Sequence, residues 1–83
     1  MQPKKLEEEI LAALIEVAPE IDTAGLVPEK NFRDQYPLDS IDFLHFILQL
    51  EKRLACKIRE SDYPKLSSLK GAVNYLELVQ KEL

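Results

Sequence analysis

The hydrophobic positions of the chain fall into three stretches of helical period separated by proline- and serine-marked breaks. From Lys4 to Ala18, Leu6, Ile10, Leu14 and Val17 recur three or four residues apart, supported by Leu11 and Ile15, while Glu7, Glu8, Glu9 and Glu16 take the other, solvated face. That spacing predicts an amphipathic helix one. Pro19 ends it, because a proline ring cannot continue the hydrogen-bond ladder and biases the residue before it away from helix. The run from Ser40 to Cys56 predicts helix two. A last helix, capped by Ser67 or Ser68 and reaching about Lys81, carries Leu69, Val73, Leu76 and Val79 with Ala72 as its core stripe. Between these two, Glu60 to Leu66 reads as a short helical turn with Ser61 as its cap and Pro64 breaking it, flanked by Ile58 and Leu66 as core contacts.

Residues 19–38 contain Pro19, Pro28, Pro37 and Gly25, which predicts a long loop rather than another regular helix. So long a loop in a small domain must be pinned. Ile21, Leu26, Phe32, Tyr36 and Leu38 are spaced along it as apolar anchors, and Asp22-Thr23 is placed to start one helical turn. The expected fold class is therefore all-α: a small four-helix bundle of three longer helices and one short, with a long loop between helices one and two, in one domain spanning residues 1–83.

Helix two is apolar over too wide an arc for a helix that only covers a core. At about 100° per residue, Phe43, Phe46, Ile47, Leu50 and Leu54 cluster on one side, and Ile41, Leu44 and Leu48 form a second stripe. Asp42, His45, Gln49, Lys52 and Arg53 fill the narrow polar sector. The first stripe reads as core and the second, beside Ser40, as an exposed contact patch of the kind that docks partners.

Leu38-Asp39-Ser40-Ile41-Asp42 opens this helix. Asp39 or Ser40 can cap it by accepting a first-turn backbone N–H, and Asp42 is favoured by the positive end of the helix dipole. A helix start of this kind also suits an attached phosphate. Ser40, Asp42 and His45 are residue types of a catalytic triad, but on one helix Ser40 and Asp42 project roughly 200° apart and His45 roughly 140° from Ser40. A nucleophile and its base cannot meet that way, so no catalytic residue is expected and the protein is not read as an enzyme. There is no glycine-rich phosphate loop and no zinc or calcium ligand pattern, hence no metal site.

Asp39-Ser40-Ile41, followed by Asp42 and a hydrophobic helix ending in Glu51-Lys52, resembles the D-S-L motif of the acyl carrier protein family. The resemblance extends over nearly the whole chain through its order of helix, pinned loop, serine-headed helix, short turn and closing helix. It implies that Ser40 carries 4′-phosphopantetheine, taken from coenzyme A, and presents acyl groups as thioesters to enzymes of fatty-acid, polyketide or related biosynthesis. It further implies that Asp39, Ile41, Asp42, Leu44, His45 and Leu48 form the surface read by partners. Those partners would be a phosphopantetheinyl transferase and acyl-loading and acyl-processing enzymes, engaged by a monomer. Phe32 looks like the buried loop aromatic of the family. Two departures stand out: Pro37, where many members have glycine, and His45, where the motif often has glutamate. With Lys52 and Arg53, His45 removes most of the acidic character usual on this helix, so the partners are expected either to lie outside the standard fatty-acid set or to be read more through apolar contacts than through charge.

Composition narrows the picture further. Eighty-three residues suffice for a packed core but not for a deep enzyme cleft. Fifteen acidic against eleven basic residues give a net charge of −4, which disfavours nucleic acid, and the acidic surplus lies before Ser40. The lone Cys56 cannot staple the fold and suits a reducing cytoplasm, where it is expected as a semi-buried small hydrophobe. No stretch approaches a membrane span. Two other readings remain open: an aminoacyl or peptidyl carrier, including a D-alanine carrier, and an unmodified helical adaptor docking partners through Ile41, Leu44 and Leu48.

Overall fold

The computed structural model describes residues 2–81. Four α-helices, α1 (Pro3–Val17), α2 (Phe32–Gln35), α3 (Ser40–Leu54) and α4 (Leu69–Lys81), are joined by two 3₁₀ segments, Thr23–Gly25 and Glu60–Leu66. The all-helical class and the three longer helices are as the periodicity predicts. α1 packs against both α3 and α4, and α4 also packs against the second 3₁₀ segment.

The apolar stripes explain this arrangement. Leu6, Ile10, Ala13 and Leu14 of α1 meet Phe46, Ile47, Leu50 and Leu54 of α3 and Leu69, Ala72 and Leu76 of α4 in one buried cluster. Each large side chain in that cluster contributes about 1.5–3 kcal/mol by leaving water. Ile58 and Leu66 join it as expected. Ile15 does not: it is 40% exposed, because its position on α1 turns it away from both neighbouring helices. Ala13 and Ala18 take the buried places instead.

The loop between α1 and α3 is ordered by side chains that replace a regular ladder. Asp22 caps the 3₁₀ turn Thr23–Gly25 by accepting from the Ala24 N–H. Asn31 caps α2, one helical turn the proline-rich pattern does not reveal, by accepting from the Arg33 N–H. Gln35 ties the stretch together: its Oε1 accepts from the Val27 N–H at 2.9 Å, and its Nε2 donates to the carbonyls of Val27 and Lys30. Phe32 and Leu38 are buried, and Ile21, Leu26 and Tyr36 pack against the core. Backbone bonds from Phe32 N to the Ser67 carbonyl and from Lys70 N to the Pro28 carbonyl fasten the loop to the start of α4.

Three boundaries differ from expectation. α3 ends at Leu54, not Cys56, because Ala55 adopts a left-handed conformation (φ 50°) and the Cys56 N–H turns back to the Glu51 carbonyl. Ser61 does not cap the second 3₁₀ segment, whose flanking Arg59 makes no side-chain cap. Pro64 lies inside that segment rather than breaking it. The proline removes the N–H that an α-helical turn would use, and the chain winds more tightly; the Pro64 carbonyl is then met by the Ser67 N–H and hydroxyl. Ser68 caps α4, its hydroxyl accepting from the Gly71 N–H at 3.1 Å. A Cβ at Gly71 would lie 2.6 Å from the Lys65 carbonyl oxygen, so glycine is what lets α4 approach the 3₁₀ segment this closely.

Candidate functional site

The head of α3 is built by a reciprocal cap. The Asp39 carboxylate accepts from the Asp42 N–H at 2.8 Å, and the Asp42 carboxylate accepts from the Asp39 N–H at 3.3 Å. Asp39 is thus the cap and Ser40 the first helical residue. Asp42 is half-buried with its carboxylate directed at the backbone. Ser40 is exposed, and its hydroxyl takes no part in the cap. Among the described residues, the Ser40 and Ile41 N–H groups at this helix end have no protein acceptor. They and the helix dipole favour an anion attached to the serine oxygen.

Ser40 also stands at a cleft of about 440 Å³. Phe43 and Leu44 of α3 form one side, Tyr63 and Pro64 of the 3₁₀ segment another, and Arg33 of α2 reaches in beside them. The Arg33 Nε–H donates to the Leu38 carbonyl at 3.3 Å, bracing the approach to the serine. Phe32 meets Phe46 edge-to-face at 5.4 Å, and Phe43 lies 6.0 Å from Phe46. An aromatic run therefore leads from the loop through the core to the cleft wall.

Ile41, Leu44 and Leu48 are 63%, 42% and 49% exposed, the apolar stripe expected from the wheel. Phe46, Ile47, Leu50 and Leu54 are buried, and the half-buried Phe43 divides the two stripes. His45 is exposed alongside the apolar stripe. The polar sector of α3 is not uniformly available to a partner, however. Arg53 is 3.4 Å from Glu9 of α1, so its charge is directed across the bundle. Glu51 is turned toward the chain as well, accepting from the Ile58 N–H at 2.7 Å.

Cys56 is half-buried and unpaired, and burial, reinforced by the Glu51 carboxylate, pushes its thiol up. That disfavours the thiolate and with it a nucleophilic role. Tyr75 of α4 donates to Asp62 of the 3₁₀ segment at 2.9 Å, and Lys65 lies 3.2 Å from the same carboxylate. Sequence reasoning missed this cluster and the contributions of Arg33, Tyr63 and Pro64 to the cleft, because residues drawn from three separate elements share no local spacing. No described helix is long and apolar enough to cross a membrane.

The family model described as "Phosphopantetheine attachment site" matches residues 8–76. The chain is 34% identical over 77 residues to an acyl carrier protein of Micrococcus luteus, covering 89% of this chain and 95% of that one. It is also 34% identical over 73 residues to an acyl carrier protein of Myxococcus xanthus, covering 84% and 92% of the two chains. A meromycolate extension acyl carrier protein of Mycobacterium leprae is 29% identical over 79 residues, covering 92% of this chain and 69% of its own.

Proposed function

The chain belongs to the phosphopantetheine-attachment family of acyl carrier proteins, and on that premise we propose that Ser40 is its attachment residue. As a member it is a carrier and not a catalyst, serving fatty-acid or related biosynthesis with 4′-phosphopantetheine as its prosthetic group. The observation that carries the assignment of Ser40 is its hydroxyl: exposed, unused by the cap, and placed at a helix start that opens on a cleft.

The residues present fit the group. The open Ser40 and Ile41 N–H groups and the Arg33 guanidinium would hold the phosphodiester, and Phe43, Leu44 and Tyr63 would border the arm that leaves it. Once attached, the arm supplies a terminal thiol that takes an acyl group as a thioester. On attachment the Ser40 oxygen would bond to the pantetheine-side phosphorus of coenzyme A as its pyrophosphate bond breaks, adenosine 3′,5′-bisphosphate would leave, and the hydroxyl proton would pass to a base of the modifying enzyme. The remaining tasks are the chain's own. Asp39 and Asp42 fix the orientation of the first turn, and a tethered cargo raises its effective concentration at each docked enzyme.

A carrier must engage modifying and acyl-processing enzymes. Ile41, Leu44 and Leu48, with Asp39, Asp42 and His45 around them, supply the surface for that encounter, acting as a monomer. The apolar stripe and the engagement of Arg53 with Glu9 favour contacts read by burial more than by charge. The test of the attachment site is intact mass after incubation with coenzyme A, magnesium and a promiscuous phosphopantetheinyl transferase. One added phosphopantetheine is expected on the parent and none on Ser40→Ala; an equal gain by the variant would move the site elsewhere.

A further inference from the structure

Tyr63 and Pro64 form the wall of the Ser40 cleft that faces α3, and both belong to the 3₁₀ segment Glu60–Leu66. Little in that segment is held by regular α-helical bonding. It is fastened to α4 at two levels. At one, the Lys65 backbone rests where any side chain on Gly71 would stand. At the other, the Tyr75 hydroxyl donates to Asp62 Oδ2 at 2.9 Å while Lys65 Nζ lies 3.2 Å from Asp62 Oδ1 and 5.8 Å from the centre of the Tyr75 ring.

We propose that the Asp62–Tyr75 hydrogen bond is a latch that sets the position of the Tyr63–Pro64 wall, and so decides how much of a cargo carried from Ser40 this chain shelters. The proposal rests on Ser40 as the attachment residue. Asp62 immediately precedes Tyr63, so a carboxylate pinned to α4 leaves its neighbour little freedom to swing from α3. Asp62 faces Tyr75 and Lys65, with Arg59 nearby, and Tyr75 also has Cys56 and Arg59 near it. Neither Asp62 nor Tyr75 lines the cleft, so they are positioning residues acting through the wall to which Asp62 is joined. A short cargo that stays near the cleft mouth would be indifferent to the latch, and a longer one would depend on it.

The test compares the parent with Tyr75→Phe, Asp62→Ala and Asp62→Asn. Asparagine retains an oxygen for the tyrosine hydroxyl; alanine does not. In the unloaded proteins, amide hydrogen exchange over residues 62–66 is expected to rise about two- to tenfold in Tyr75→Phe and Asp62→Ala, the range a single hydrogen bond supports, with α1 unchanged and Asp62→Asn close to the parent. No rise in either variant overturns the latch. The proteins are then charged with the prosthetic arm bearing acetyl or octanoyl, and thioester cleavage by hydroxylamine is timed. Tyr75→Phe and Asp62→Ala are expected to change the octanoyl rate at least twofold relative to acetyl; a constant ratio overturns the sheltering role. If the parent gains no mass on charging, the Ser40 reading has failed, a result the mass reports separately from the exchange measurement, and the sheltering role falls with it.

Discussion

Asp39 and Asp42 hold each other's backbone N–H groups across the first turn of α3, at 2.8 and 3.3 Å, and Ser40 between them is left out of the exchange. The residue at the centre of the motif is therefore structurally dispensable, and its neighbours are not. Ser40→Ala should alter stability by no more than about 0.5 kcal/mol, as for a surface site with no special contact. Asp39→Ala should cost about 0.5–2 kcal/mol, the usual loss for a removed cap. Urea unfolding of the two variants, read by helical circular dichroism, compares them directly, and a larger loss for Ser40→Ala would contradict the cap assignment.

The two stripes of α3 should respond oppositely to a charge. Leu44 is 42% exposed, so Leu44→Asp should preserve the helical spectrum while slowing modification by the transferase at least tenfold. Ile47, one helical turn from Phe43 and fully buried, should not tolerate aspartate, and even Ile47→Ala should cost about 2–5 kcal/mol. Transferase kinetics and thermal unfolding on the same samples separate docking from folding; loss of structure in Leu44→Asp would place Leu44 in the core.

Ala55 closes α3 at φ 50°, a conformation that costs an L-residue about 1–2 kcal/mol and glycine almost nothing. Part of that gain is offset by the greater freedom of glycine in the unfolded chain. Ala55→Gly should raise the unfolding free energy by roughly 0.5–1 kcal/mol, leaving modification of Ser40 unaffected. A lower denaturation midpoint would show that the Ala55 methyl is worth more than the strain it carries.

Titration of the Asp62–Tyr75 pair should mark both ends of the pH range. Desolvation, then the hydrogen bond to Asp62, pushes the Tyr75 phenol up from 10.0 to about 12. The folded value exceeds the unfolded one, so this contribution is full below pH 10 and is lost as pH rises through 12. The Tyr75 hydroxyl first, and then Lys65, holds the Asp62 carboxyl below its usual 3.8. Its contribution is present above that value and is lost as pH falls through the lower folded one. Phenolate absorbance should lose its latest-ionising step in Tyr75→Phe, and the variant's stability should vary less than the parent's above pH 10. In Asp62→Ala, which keeps the phenol and removes its acceptor, the latest-ionising step should move to lower pH, and a phenolate titration superimposable on the parent's would rule the bond out in solution.

The sequence by itself determined the helices that a single face can specify. The three-and-four spacing of Leu6, Ile10 and Leu14 can be buried only by a helix on a core, and the same holds for Phe46, Ile47, Leu50 and Leu54. It also determined the serine-headed start of α3 and the exposed Ile41, Leu44 and Leu48, since two apolar stripes on one helix cannot both face one small core. Tertiary structure decided what depends on neighbours far along the chain. α2 exists because Asn31 caps it while Phe32 is drawn into the core against Phe46, neither of which the proline-rich loop announces. Ile15 lost its place in the core because α1 meets α3 and α4 along a line that Ala13 occupies more closely. The wall of the Ser40 cleft, and the Asp62–Tyr75 bond behind it, arise only when the 3₁₀ segment is brought against Gly71. A periodicity records which face a helix buries; it carries no record of what another element will set against that face.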